Sequence, residues 1–343
     1  MESSTVLMEE MGFDSSSLHE ELALDSDSLV NVGSMNEFRI TRLQNRFNRL
    51  FGGILIMGAS AAAMGCSSTP ETQEETSFAT IGSSPLTVEY SAGAEELAQL
   101  QYERINGMMK FYASQYDIQQ DVLIRILNSD DWETQGPPYG MPSIRPGNPL
   151  VITGPATADG VIVQDVIQYA DVVPVFLQEK LDGIGLTFEE AAQQYPDLIV
   201  YHEAGHAYQF NVGLDGVNRW FAEFMASYFM VNYTIQHDPE AAQLFEIMSY
   251  ATYLDGSTPN YVSLDDLERL YADGVGMQNY DWYQKQLNLK LFSVYRNHGA
   301  DFIDAVIEAF DGKQVTSEET IAILEKLYPG EFAQWAQDVS VTD

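Results

Sequence analysis

Asp197 to Phe210, DLIVYHEAGHAYQF, contains two histidines four residues apart with a glutamate directly after the first: His202-Glu203-Ala204-Gly205-His206. On an α-helix, side chains four apart share a face one turn apart, so both imidazoles can bind one Zn²⁺ at about 2.0–2.1 Å each. Glu203 then sits beside that face, within reach of a metal-held water. A metal lowers the pKa of such a water towards neutrality and a carboxylate can take its proton, the reaction logic of zinc peptide hydrolysis. Ile199, Val200, Ala204, Gly205, Ala207 and Tyr208 are uncharged, as suits a helix buried behind a metal site. Pro196 and Asp197 fit a first helical turn, so the helix is expected to start there. The competing reading is two helix histidines bonded to neighbours, with Glu203 in solvent.

A catalytic zinc needs three protein ligands and an open position. The longer pattern HExxHxxGxxH is not met, because Gln209 and Val212 stand where it requires Gly and His. Downstream, Trp220 to Phe229, WFAEFMASYF, is an apolar and aromatic run with Glu223 as its only carboxylate. NVGLDGVN (211–218) offers Gly213 and Gly216 as a helix stop and turn. HExxH followed by a helix bearing a Glu resembles the gluzincin metallopeptidases, whose third ligand is such a Glu. The resemblance implies that two antiparallel helices bring Glu223 back to His202 and His206 around one Zn²⁺ per chain. A lone Glu in an apolar face is costly without a cation or donor, which favours Glu223 over Glu240 or Glu246 on polar, solvated-looking segments. A Glu bonded to a buried Tyr or to Arg219 is the competing account of Glu223. Many gluzincins carry an acid four residues after the ligand Glu, orienting a ligand histidine. Ser227 occupies that position, so another group is expected to take that task.

The resemblance also implies an α+β, zincin-like fold: a small N-terminal α/β lobe with a few-stranded sheet, a mainly helical C-terminal lobe, and the metal helix between them. It implies a Tyr or His from the helical lobe as oxyanion donor. NYDWYQKQLNLKLFSVYRNHG (279–299) offers Tyr280, Tyr283 and His298, and Tyr283, near the start of a long helix, is the chosen candidate. By the same resemblance the 139–154 segment is the candidate for a cleft-bordering strand that pairs with extended substrate, and a structural edge strand with loops is the competing reading.

Composition restricts the partners. The chain of 343 residues has 51 Asp and Glu against 16 Lys and Arg, a formal charge of −35, which disfavours charge-driven binding of nucleic acid or anionic lipid. The one cysteine, Cys66, excludes an intrachain disulfide. Residues 1–34 carry eight acids and no Lys or Arg. From Met35 come four arginines, an apolar run Phe51 to Met64, and Ala63-Met64-Gly65-Cys66. A basic region, a short apolar region and small residues describe a secretory signal. The last four residues resemble a bacterial lipobox, which implies lipidation of Cys66 and a lipid-anchored, exported protein of the cell envelope. The expected plan is therefore 1–34 as an upstream extension without structure, 35–65 as signal, 66–91 as a flexible tether, and 92–343 as the folded domain.

Within that domain, 92–113 has helical apolar spacing and Val122 to Leu127 reads as a strand. Gly136 to Gly160, rich in Pro and Gly, excludes a helix but includes a strand at 150–153. Asp165 to Leu181 is helical and split by Pro174. Thr187-Phe188-Glu189-Glu190 is a capping box opening a short helix that ends at Tyr195-Pro196. Helices are expected around 238–252, 263–272, 279–297, 300–310, 317–327 and 330–340. These readings converge on a zinc-dependent hydrolase of peptide or protein substrates, with Glu203 as general base. The alternatives are a non-catalytic envelope lipoprotein with a structural zinc or a peptide-binding cleft, and an enzyme acting on a non-peptide amide.

Overall fold

The computed structural model describes residues 78–118, 120–251, 259–269 and 277–340, all within one compact unit, Thr76–Asp343. The expected upstream extension, the signal and Cys66 lie outside the described residues. The unit is α+β, with a five-stranded sheet in its N-terminal part and helices through the rest.

β1 (Ala79–Ser83) and β2 (Leu86–Tyr90) form an antiparallel hairpin. This corrects the expectation of a tether reaching residue 91 and a fold beginning near Ala92. Leu86 and Val88 alternate with Thr87 and Glu89, and both apolar side chains are buried, a two-residue period inside a Ser/Thr/Pro-rich stretch. Then follow α1 (Glu95–Ala113), β3 (Val122–Leu127), the short α2 (Ser129–Trp132), β4 (Ser143–Arg145) and β5 (Leu150–Pro155). The sheet order is β1-β2-β3-β5-β4; β2, β3 and β5 are parallel, and β4 runs antiparallel to β5. The strand expected at 150–153 is thus β5, paired on both sides and buried throughout. The free edge within 139–154 is β4.

α3 (Val161–Ile167) and α4 (Val175–Gly183) replace the expected helix 165–181, and Pro174 does separate them, as the N-cap of α4. α5 (Phe188–Asn211) begins at Thr187, whose hydroxyl accepts from the Glu190 N–H while the Glu190 carboxylate accepts from the Thr187 N–H. α5 does not end at Pro196, and no new helix starts at Asp197. Pro196 removes one backbone donor, but Ala191, Ala192 and Tyr195 before it and Leu198, Val200 and Tyr201 after it are all buried. Continuous burial on both sides outweighs one missing hydrogen bond. Gln101 of α1 also donates to the Asp197 carbonyl at 3.2 Å, tying the helix to its neighbour just past the proline.

α6 (Arg219–His237) is capped by Asn218, which accepts from the Phe221 N–H. It is followed by α7 (Pro239–Ala251), α8 (Leu264–Glu268), α9 (Met277–His298), α10 (Asp301–Phe310), α11 (Ser317–Leu327) and α12 (Ala333–Val339). The expected helices are present; 263–272 shortens to α8 and 330–340 to α12. Phe224, Tyr228, Phe302 and Phe332 pack ring against ring, joining α6 to the C-terminal helices. No single helix among the described residues is long and apolar enough to cross a membrane.

α5 and α6 run antiparallel, as the pairs Tyr201–Tyr233, Gly205–Ala226 and His206–Glu223 show. Gly213, at φ +81°, makes the turn between them, and the Leu214 N–H closes it on the Gln209 carbonyl. The helices meet backbone to backbone: a Cβ on Gly205 would lie 2.1 Å from the Ala226 carbonyl oxygen. Gly205→Ala is therefore expected to lower stability by at least about 1–3 kcal/mol in urea denaturation. Gly183→Ala, where an added Cβ meets nothing within 4 Å, should be neutral or stabilising by up to about 1 kcal/mol.

Candidate metal centre

His202 and His206 project from α5 and Glu223 from the second turn of α6, and one ligand atom from each falls within 4.8 Å of the others. Glu223 Oε2 lies 3.2 Å from His202 Nε2 and 3.8 Å from His206 Nε2. Ligand atoms of a tetrahedral zinc with bonds of 2.0–2.2 Å are about 3.3–3.6 Å apart, so these separations suit a single ion with little rearrangement. The three sequence candidates for metal ligands therefore come together, and they come from two helices packed on the contact at Gly205.

Each imidazole is oriented by a neutral group. His202 Nδ1 is 2.9 Å from the Ser227 hydroxyl. The expectation that some group other than Ser227 takes this task is corrected: Ser227, one turn beyond Glu223 and buried, does it directly. His206 Nδ1 is 3.1 Å from Gln209 Oε1. The Gln209 amide is in turn fixed by donating through Nε2 to the Leu214 carbonyl, so Oε1 is its acceptor end. The His206 Nδ1 must then carry the proton, which leaves Nε2 for the metal.

Glu223 has further donors. Gln284 Nε2 lies 2.8 Å and the Tyr280 hydroxyl 3.2 Å from the same Oε2, both from the first turns of α9. The reading of Glu223 as bonded to a tyrosine and the reading of it as a ligand thus coexist in one geometry. Tyr283, the candidate oxyanion donor, is corrected: it is fully buried and donates to the Ser263 carbonyl at 2.7 Å. It directly precedes Gln284, so on the helix it is turned about 100° away from that side chain. His298 packs against the Tyr328 ring in a tilted arrangement at the far end of α9 and takes no part. Glu246 is not solvated as expected but buried and paired with Arg296 at 3.1 Å. Glu240 is exposed.

Glu203 is 8% exposed and has no hydrogen-bond partner among the described residues. Burial pushes its pKa up and the Glu223 charge adds to this, while the two histidines oppose it. Burial alone pulls the His206 imidazole down, but the Glu223 and Glu203 carboxylates outweigh it and push the pKa up to about 9. Burial would raise Glu223, yet its contacts with His202 and His206 hold it well below the usual carboxylate range. Without metal, the cluster is an ion pair in which a proton takes the place of the cation.

Gln209 and Gln284 are the site residues that pattern reading missed; it offers Tyr280 but passes it over for Tyr283, and it notes Ser227 only as standing where an acid is usual. Tyr280 and Gln284 are spaced i, i+4, which is a visible signal, but nothing in the chain says that this face meets Glu223. Compared with known proteins, the chain matches no family model, no curated protein and no solved structure.

The raised pKa of His206 gives a signed pH dependence. In the metal-free protein its ion pair stabilises fully below about pH 6.5, and the contribution, at most about 3 kcal/mol, is lost as pH rises to about 9. Urea denaturation in chelator between pH 6 and 9.5 should show this decline, and His206→Ala should flatten it. Zn²⁺ affinity should rise over the same window, since uptake displaces that proton.

Proposed function

We propose that this protein is a zinc-dependent peptide hydrolase of gluzincin type on a zincin-like fold. The carrying observation is a two-His, one-Glu cluster of tetrahedral dimensions beside a largely buried carboxylate, Glu203, that accepts no hydrogen bond from the described residues. Leaving a carboxylate unpaired costs stability, and a structural metal site would have no use for it. Support also comes from the mixed sheet with an antiparallel edge strand, β4, and from the antiparallel pair α5 and α6.

A bound Zn²⁺ would supply Lewis-acid polarisation of a water and of the scissile carbonyl. His202, His206 and Glu223 would hold it. Glu203, with its raised pKa, takes the proton from the attacking water and delivers it to the leaving amine. Tyr280, the hydroxyl that reaches the cluster, has one hydrogen, which would turn from Glu223 Oε2 to the carbonyl oxygen as negative charge develops there. The outer edge of β4 pairs with an extended peptide. We also propose export and lipid anchoring through Cys66; lipid labelling of the expressed chain should disappear in Cys66→Ala.

Elemental analysis of the purified protein should find one zinc per chain, and His202→Ala, His206→Ala or Glu223→Ala should remove it. Glu203→Gln should keep the zinc and lose about 10²–10⁴-fold in turnover on a peptide library. A wild-type protein without stoichiometric metal would sink this reading. Full zinc with no turnover in wild type would favour the non-catalytic alternative.

A further inference from the structure

We infer that Gln284 is the positioning residue of the metal centre, holding the Glu223 carboxylate in ligating geometry from a third helix. The inference rests on the zinc reading of His202, His206 and Glu223. The Gln284 amide nitrogen lies 2.8 Å from Glu223 Oε2 and 2.8 Å from the Tyr280 oxygen, so its two hydrogens serve one oxygen each. Tyr280 closes the triangle on the same Oε2 at 3.2 Å. Two donors therefore converge on the carboxylate oxygen that faces both imidazoles. Such outer contacts fix a ligand's rotamer before the ion arrives.

The chemistry of the residue type matters. A lysine or arginine at 284 could also hold Glu223, but its charge would repel a divalent cation a few ångströms away. A glutamate there would repel Glu223 itself. A neutral amide with two hydrogens grips both oxygens without altering the charge of the site. It is also consistent with the other orienting groups, Ser227 on His202 and Gln209 on His206, which are neutral as well.

The test uses the full chain at fixed pH, with Zn²⁺ affinity from competition against a chromophoric chelator and the visible spectrum of the Co²⁺-loaded protein. Gln284→Met keeps the volume and removes both hydrogens; it should bind Zn²⁺ roughly 10–100-fold more weakly and change the Co²⁺ bands, while the metal-free variant stays folded and its melting falls by no more than the loss of these hydrogen bonds. Gln284→Lys restores a donor yet should also weaken binding, because the cation opposes the metal. Gln284→Met with wild-type affinity and an unchanged Co²⁺ spectrum overturns the positioning role and leaves the zinc centre standing. A wild-type protein that takes up neither ion removes both. Should Gln284→Met fail to fold, Tyr280→Phe, which deletes one of the two converging donors, is expected to lose several-fold in affinity. Retention of full affinity in that variant would likewise overturn the inference.

Discussion

The metal cluster depends on how closely two helices approach at Gly205. With no side chain there, the backbone of α5 lies against the Ala226 carbonyl of α6, at a separation a β-carbon would not allow. His202 and His206 stand on either side of that contact, and Glu223 and Ser227 flank Ala226 on the other helix. The glycine inside the pentad is therefore a packing device: it sets the interhelical distance, and that distance decides whether Glu223 reaches both imidazoles. Aromatic rings hold α6 from behind, with Phe224 and Tyr228 against Phe302 and Phe332, so the helix cannot relax outward without opening a core.

Electrostatics follows from the same geometry. Two carboxylates and two imidazoles share a buried space in a chain of formal charge −35. His202 and His206 together hold the Glu223 carboxylate down, and Glu223 with Glu203 in turn raises His206. Glu203 is left over, largely desolvated and without a hydrogen-bond donor among the described residues. The groups that orient the cluster, Ser227, Gln209 and Gln284, add no charge. A divalent ion entering such a site meets two carboxylates and displaces a proton, so the protein's own charges favour its uptake.

Most of the helical part was legible from periodicity and punctuation: the capping box at Thr187, the stop at Gly213, and the helices from 279 onward. The misreadings share a cause. Pro196 and the Ser/Thr/Pro-rich stretch before Ala92 carry local signals for a break and for a tether, and in both cases burial overrides them. Tyr195 and Leu198 carry α5 through the proline. Leu86 and Val88 gain a strand's burial by pairing with β3. Local pattern reports propensity, whereas the energy of burial depends on what lies opposite.

The chain by itself determined the chemistry of the ligands. Four-residue spacing forces His202 and His206 onto one helical face; the resemblance to gluzincins points to a Glu on the next helix, and the desolvation cost of a lone carboxylate in the apolar run 220–229 singles out Glu223 there. What only the tertiary structure decided is everything that reaches the cluster from further away: Ser227 in place of an acid, Gln209 as the acceptor for His206, and Tyr280 with Gln284 rather than Tyr283. Those choices depend on the rotation of α9 against α6 and on which end of the Gln209 amide the Leu214 carbonyl selects. The contacts of Tyr280 and Gln284 with Glu223 join residues about sixty positions apart, and no local period records them.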